Sequence, residues 1–137
     1  MTSNSQLPYE TITHQIIGCA MRVHSFYGLG FPEVIYKRSL LIELEDKNLR
    51  YRTEMEKEIY YGGKFVGKRR LDLIVDDKIL VEIKAIRELE NSHYKQVLNY
   101  LNVFDLEVGL LINFGAESLQ FKRLIRSAPS VKSSSNP

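Results

Sequence analysis

The chain has 137 residues, a length typical of one domain with a single hydrophobic core. Its net charge at pH 7 is only +2, so binding to a polyanion would have to depend on a local basic patch. The single cysteine, Cys19, excludes an internal disulfide, and the absence of clustered His and Cys argues against a structural zinc site.

The two ends of the sequence differ in composition from the rest of it. Residues 1–8 are polar and end in Pro8, which predicts a flexible N-terminus, and residues 127–137 are rich in Ser and Pro, which predicts a disordered tail. We therefore expect a single folded domain over residues 9–126. No apolar run approaches the ~18 residues that span a bilayer, and no secretory signal is visible, so we expect a cytoplasmic protein.

Apolar residues at helical spacing predict two helices before the first strand. The first covers about residues 10–26, with Cys19 as a buried thiol on its apolar side. The segment YGLG ends it, and Pro32 then begins a second helix that runs to about Lys47. The residues predicted to face the core from this second helix are Val34, Leu40, Leu41 and Leu44.

The remainder of the chain predicts five strands and one further helix. The strands cover about residues 51–61, a long segment that follows the turn GGKFVG and ends at Val75, residues 79–85, LEVGLLINF and LQFKRLIR, and the helix covers about residues 90–104. The resulting order, ααβββαββ, predicts an α/β protein with a mixed sheet of about five strands flanked by helices.

The segment RRLDLIVDDKILVEIKA, residues 69–85, has the alternation of a β-hairpin. If both strands face one core, Val75 pairs with Ile79, Leu73 with Val81 and Leu71 with Ile83. This register requires an odd loop of three or five residues. It also places Asp72 opposite Glu82 and Arg70 opposite Lys84.

Two carboxylates in this position repel each other, because cross-strand Cβ atoms are roughly 4.5–5.5 Å apart. Asp72 and Glu82 could instead share one divalent cation, and oxygen ligands suit Mg²⁺ or Mn²⁺. Lys84 would add an ammonium group on the same face. Such an arrangement is typical of phosphodiester hydrolysis by metal-activated water. The alternative is that these residues and Arg70 form ordinary diagonal ion pairs on a solvated sheet.

The order of Asp72, Glu82-Ile83-Lys84 and a helix with Gln96 and Tyr100 resembles the PD-(D/E)XK nuclease superfamily. More narrowly, the chain resembles the small bacterial GxxExxxR proteins of that superfamily over about residues 10–126. The matching segments are GLGFPEVIYKRSLLIEL (28–44), RRLDLIVDDKILVEIKA (69–85), QVLNYL (96–101) and GLLINFG (109–115).

Two positions depart from the family pattern. Gly30 and Glu33 occupy the first two named positions of GxxExxxR, but Lys37 stands in place of the arginine, with Arg38 beside it. Lysine keeps the positive charge but lacks the planar guanidinium that binds an anion through two hydrogen bonds. Leu71 stands where the superfamily often has a proline.

The resemblance implies a restriction-endonuclease-like core and a role for each matching residue. Asp72 and Glu82 would bind the metal, and Lys84 would be the catalytic lysine. Glu33 would reach the same metal, although an acid in the first turn of a helix is also favoured by the helix dipole alone. The residues implied to support the site or contact the substrate are Gln96, Tyr100 and Lys37.

The function implied by the resemblance is Mg²⁺- or Mn²⁺-dependent hydrolysis of phosphodiester bonds in nucleic acid, with DNA as the expected substrate. A core of this size is expected to act as a homodimer or with a protein partner. The alternative is a non-catalytic module that keeps the nuclease fold and binds nucleic acid or protein. A third possibility is a hydrolase of nucleotides.

The run of Lys64, Lys68, Arg69 and Arg70 before the motif strand is basic. It could follow a nucleic-acid backbone, or it could belong to a solvated hairpin with alternating charges. The sequence shows no basic patch with interleaved aromatic residues of the kind that stacks on bases.

Overall fold

The computed structural model describes residues 9–126, so the predicted flexible N-terminus and disordered tail lie outside the described residues. The helices in this range are α1 (Glu10–Tyr27), α2 (Glu33–Asp46) and α3 (Asn91–Phe104). The strands are β1 (Tyr51–Thr53), β2 (Glu56–Tyr61), β3 (Lys64–Arg70), β4 (Leu73–Val75), β5 (Ile79–Lys84), β6 (Val108–Asn113) and β7 (Gln120–Ile125).

Five of these strands form one mixed sheet in the order β1-β4-β5-β6-β7. Strands β5 and β6 are parallel, and α3 is the crossover between them, as a parallel connection requires. The other neighbouring strands are antiparallel. The predicted mixed sheet of about five strands with flanking helices is therefore confirmed.

The predicted order ααβββαββ is wrong between α2 and β5, where the structure has four strands instead of two. The first break is at Glu54, whose φ of 56° lies in the left-handed region that a regular strand cannot contain. The second break is at Leu71 and Asp72. Backbone hydrogen bonds from Glu54 N–H to Asp72 O and from Leu71 N–H to Met55 O join the two breaks. Beyond them, β2 and β3 form a separate two-stranded sheet, the β2–β3 hairpin.

The core occupies both faces of the main sheet. Helices α1 and α2 pack on one face, where Ile16, Leu40 and Val81 are buried together with Cys19. Helix α3 packs on the other face, where its residues Val97 and Leu101 are buried together with Leu71, Leu80 and Leu111. Within residues 9–126, no helix is both long and apolar enough to cross a lipid bilayer.

The buried face of α2 differs from the prediction at one residue. Val34 is 42% exposed, whereas Tyr36 is fully buried. Tyr36, Leu40 and Leu44 follow each other at intervals of four residues, so they share one side of the helix. Val34 precedes Tyr36 by only two residues and therefore points away from that side.

The register of the β4–β5 hairpin agrees with the prediction near its turn and differs at its open end. Leu73 pairs with Val81 and Val75 with Ile79, across a loop of three residues, one of the two predicted lengths. The predicted Leu71–Ile83 and Arg70–Lys84 pairs do not form, because β4 begins only at Leu73. Leu71 packs on the α3 side of the sheet instead, and Arg70 pairs with Glu56 in the β2–β3 hairpin.

Candidate active site

Asp72 and Glu82 meet at the open end of the β4–β5 hairpin. The backbone N–H of Asp72 donates to Glu82 Oε2 at 3.0 Å, and the N–H of Ile83 donates to Asp72 Oδ2 at 3.1 Å. Each carboxylate therefore accepts a hydrogen bond from the backbone of the opposite chain segment. The two acids lie together as predicted. Beyond the Leu73–Val81 pair, hydrogen bonds to their carboxylates take the place of backbone hydrogen bonds between the two strands.

Glu82 is the buried member of this pair, with only 6% of its surface exposed. Burial, followed by the negative charge of Asp72, raises the pKa of Glu82 to about 7. The hydrogen bond from the backbone of Asp72 and the charge of Lys84 act in the opposite direction. A buried carboxylate whose proton binds this tightly is typical of a functional site.

Lys84 lies at the end of β5, two residues after Glu82, and belongs to a chain of polar contacts with α3. Its Nζ donates to Gln96 Oε1 at 3.4 Å, and Gln96 Nε2 donates to Tyr100 Oη at 3.3 Å. Gln96 and Tyr100 thus share one face of α3, as their spacing predicted. Burial, followed by the charge of Glu82, raises the pKa of Tyr100, so this hydroxyl also lies within electrostatic reach of the acids.

Helix α2 contributes Glu33 and Lys37 to the same place, one turn apart. Lys37 Nζ lies 3.8 Å from Asp72 Oδ1, and its side chain is only 14% exposed. Glu33 is exposed at the surface, yet partial burial of its carboxylate and then the charge of Asp72 raise its pKa. The structure therefore brings all seven predicted site residues to one region of the molecule.

The segment GLGFPE positions the first turn of α2. Gly28 and Gly30 have φ angles of 66° and 109°, which allow the chain to turn sharply between α1 and α2. The hydroxyl of the buried Tyr36 donates to Gly28 O at 2.6 Å and so ties this turn to the helix. The Tyr36 ring stacks on Phe114 at 4.9 Å, which anchors α2 beside β6.

The segment INFG holds the end of β5 that carries Lys84. Phe114 N–H donates to Lys84 O at 2.8 Å, and the buried Asn113 side chain accepts from the N–H groups of Ile86 and Gly115 at 2.9 and 3.0 Å. A Cβ at Gly115 would lie only 2.3 Å from Ile86 O. Only glycine fits this close approach, so the GLLINFG match has a structural reason.

Glu54 also contacts the site, although no sequence motif predicted it. Its Oε2 lies 3.9 Å from Lys37 Nζ, and its Oε1 lies 3.6 Å from Arg70 Nη1. It is placed there by its left-handed backbone and its hydrogen bond to Asp72. The signal in the sequence was weak, because Glu54 is one of three acids in the short charged segment RTEMEKE.

The acids are two close carboxylates with a third one nearby. Within residues 9–126, no cluster of three or more His, Cys, Asp or Glu side chains is arranged to hold a metal ion. Glu33 acts on Asp72 and Glu82 through its charge. The role of Glu33 as a metal ligand beside Asp72 and Glu82 stays a prediction. Carboxylate oxygens are the type of donor that Mg²⁺ and Mn²⁺ prefer.

Comparison with known protein families identifies the class to which this fold and site belong. The model of the PD-(D/E)XK nuclease superfamily matches residues 10–124. The chain therefore belongs to the PD-(D/E)XK nuclease superfamily, whose enzymes typically use divalent metal ions. No curated protein matches the chain.

Two solved structures share the fold. The crystal structure of SSO0001 aligns with a TM-score of 0.52 and 22% identity, over 95% of this chain and 74% of that one. An alkaline exonuclease (LHK-Exo) from Laribacter hongkongensis aligns with a TM-score of 0.50 and 8% identity, over 91% of this chain and 74% of that one. These similarities confirm the predicted fold class.

Proposed function

We propose that the protein is a metal-dependent nuclease that hydrolyses phosphodiester bonds in nucleic acid, with DNA as the expected substrate. One observation carries the proposal: a buried glutamate, a second carboxylate and a lysine ammonium converge at the end of one hairpin. Membership of the superfamily supports it, as does the presence of an exonuclease among the structural neighbours.

Asp72 and Glu82 are the residues that would hold Mg²⁺ or Mn²⁺, with Glu33 as a third ligand. The site fits such an ion because Glu82 is buried beside a second carboxylate, and a divalent cation would offset their mutual repulsion. When bound, the ion would supply charge neutralisation at the phosphate and would lower the pKa of a water molecule.

The remaining residues would position the reacting groups. The Lys84 ammonium would orient the attacking water or stabilise the phosphate charge, and its contact with Gln96 would hold it in place. Tyr100 would support Gln96. Lys37, next to Asp72, would add a second positive charge for the substrate phosphate.

We further assign the chain to the GxxExxxR proteins within the superfamily. The support is the position of Glu33 and Lys37 on one turn of α2 and the contact of Lys37 with Asp72. A single ammonium serves here where the family pattern has a guanidinium. We also propose that residues 9–126 form one nuclease domain, which acts in the cytoplasm as a homodimer or with a protein partner.

The test is cleavage of single- and double-stranded DNA and RNA in the presence of Mg²⁺, of Mn²⁺ or of a chelator. Asp72→Asn and Lys84→Ala should abolish cleavage. Asp77→Asn and Lys78→Ala are matched controls, since both residues lie in the turn at the other end of the same hairpin. Both controls should cleave like the wild-type protein.

Three results would contradict the proposal. Cleavage that persists in Asp72→Asn and Lys84→Ala would come from a contaminant. Binding of nucleic acid or of a protein without cleavage under any metal condition would favour the non-catalytic module. Hydrolysis of nucleotides but not of polymers would indicate the third possibility.

A further inference from the structure

The β2–β3 hairpin is a separate two-stranded sheet and, among the described strands, pairs only with itself. Its turn end carries three exposed aromatic rings: Tyr60 is 49% exposed, Tyr61 81% and Phe65 56%. Large exposed apolar side chains in one place mark an interaction surface more often than chance. The two faces of the hairpin differ in charge, and this difference indicates the class of partner that would bind there.

On one face of the hairpin, acidic side chains pair with basic side chains and neutralise their charge. Glu56 accepts from Lys68 at 3.4 Å and lies 3.4 Å from Arg70 Nε. Glu58, two residues further along the same strand, accepts from the Tyr60 hydroxyl at 2.5 Å. Both acids of the hairpin therefore lie on this face, because alternate residues of a strand share a face.

The opposite face carries cations without acids. Lys57 lies directly opposite Arg69, and Tyr61 lies directly opposite Lys64. Within residues 9–126, none of these three cations has a carboxylate oxygen within 4.0 Å. Like charges directly opposite each other destabilise a strand pair. This face, named here the cationic face (Lys57, Tyr61, Lys64 and Arg69), is therefore complementary to a polyanion.

The base of the cationic face lies within electrostatic reach of the candidate active site, because the charge of Arg69 lowers the pKa of the Tyr100 hydroxyl, against the larger effects of burial and of Glu82. A groove of about 260 Å³ separates the base of this face from α3, lined by Ile59, Gly67, Arg69, Asn99 and Val103 among others. Arg69 Nε donates to Asn99 Oδ1 at 3.4 Å. Asn99 immediately precedes Tyr100, which contacts Gln96 in the polar chain that ends at Lys84.

We propose that the cationic face binds a single-stranded segment of nucleic acid whose scissile phosphate lies at Asp72 and Glu82. Lys57, Lys64 and Arg69 contact the phosphates, and the Tyr61 ring stacks on an unpaired base. Stacking on a protruding ring requires a base whose face is free, which a duplex does not offer along its length. This inference rests on the proposed nuclease function and adds the strand type of its substrate.

The experiment measures binding without cleavage, by fluorescence anisotropy of labelled oligonucleotides with the full chain in chelator. The probes are a single strand, the duplex of the same sequence and a single strand in which abasic sites replace the nucleosides. The variants are Tyr61→Ala, Lys57→Ala and Lys64→Ala. Phe26→Ala, at an 82% exposed ring in α1, is the matched aromatic control, and Lys78→Ala is the matched control for charge.

We expect the wild-type protein to prefer the single strand to both other probes. Tyr61→Ala should weaken binding of the single strand by about 5- to 100-fold without changing its salt dependence or the binding of the abasic probe. Each lysine variant should reduce the slope of log K against log salt by about 0.7. Both controls should bind like the wild-type protein.

The inference is overturned if the hairpin variants bind as the wild-type protein does, if the duplex is preferred, or if no probe binds. It is also overturned if Tyr61→Ala dissociates an oligomer in sedimentation while its affinity for oligonucleotides is unchanged, since the face would then bind protein. Cleavage that depends on Asp72 but not on the hairpin would support the proposed nuclease function and refute this inference. Binding that depends on the hairpin, without cleavage, would support the role of the cationic face in binding and contradict the nuclease function.

Discussion

The backbone of Asp72 holds the carboxylate of Glu82, although the side chains of these two residues repel each other. The N–H of Asp72 donates to Glu82 Oε2 at 3.0 Å, and this hydrogen bond favours the ionised glutamate. Burial and the charge of Asp72 outweigh it, so the pKa of Glu82 is raised to about 7. Without a cation, the folded protein therefore carries an unfavourable charge at neutral pH.

The stability of the metal-free protein should fall as the pH rises towards 7. The pKa of Glu82 is about 7 when folded against an ordinary value of 4.5, so the folded state binds this proton more tightly than the unfolded chain. The stabilising contribution is complete below pH 4.5 and is lost as the pH passes through about 7. Glu82→Gln cannot ionise, so its free energy of unfolding relative to the wild type should increase by about 3 kcal/mol over this range.

Urea unfolding in chelator at several pH values measures this difference. Glu88→Gln, at an exposed carboxylate in the loop after β5, should give a profile parallel to that of the wild type. Saturating Mg²⁺ should remove most of the wild-type loss, because a bound cation stabilises the ionised acids. Parallel profiles for Glu82→Gln and the wild type would show that the proton on Glu82 is not held as the structure requires.

We expect Lys37, and not Arg38, to contribute its positive charge to the candidate active site. Lys37 Nζ lies 3.8 Å from Asp72 Oδ1, whereas Arg38 is exposed on the outer side of α2. Lys37→Met should lower cleavage by about 10- to 100-fold, the size expected for a lost contact to a charged group. Lys37→Arg should retain most of the activity, because it keeps the charge. Cleavage rates of these variants and of the control Arg38→Met decide the question, and a larger loss in Arg38→Met would reverse the assignment.

Gly115 should be intolerant of any side chain. A Cβ there would lie 2.3 Å from Ile86 O, which is backbone and cannot rotate away. We expect Gly115→Ala to lower the free energy of unfolding by about 1–3 kcal/mol. Gly18→Ala is the opposite control, since nothing lies within 4 Å of its Cβ, and alanine should stabilise α1 by about 0.5–1 kcal/mol. Denaturant unfolding of both variants measures the contrast, and equal stabilities would contradict this packing.

The pairing of Leu73 with Val81 and of Val75 with Ile79 could be predicted from alternation, because one buried face fixes the register of a strand. The same rule failed at Leu71, where an irregular backbone interrupts the strand. The left-handed conformation of Glu54 that accompanies this interruption has no signal in sequence, since glutamate rarely adopts it.

The cationic face was also missed, for a related reason. The sequence indicated a basic run that included Lys64 and Arg69, but no interleaved aromatic residue. In the hairpin, cross-strand pairing places Tyr61 beside Lys64, and Lys57 opposite Arg69. Lys57 and Arg69 are 12 residues apart in sequence, so linear inspection does not show that they and the Tyr61–Lys64 pair share one face until the register of the hairpin is known.

Gln96 should act by positioning Lys84. It accepts from Lys84 Nζ at 3.4 Å and donates to Tyr100 Oη at 3.3 Å. Both contacts are long, so Gln96→Ala should reduce kcat by only about 3- to 10-fold, with little change in KM. Tyr100→Phe, which removes only the hydroxyl, should have a smaller effect in the same direction. Asn102→Ala, at an exposed position of α3, should match the wild type.

The pH profile separates this positioning role from loss of folding. If Gln96 holds the ammonium of Lys84 beside Glu82, its loss should raise the pKa of Glu82, because Lys84 lowers that pKa. The acidic limb of a cleavage profile measured at limiting Mg²⁺ should then move to higher pH. Gln96→Glu should preserve the contact with Lys84 and restore part of the activity. An unshifted profile in Gln96→Ala, together with a lowered Tm, would mean that Gln96 only stabilises the packing of α3.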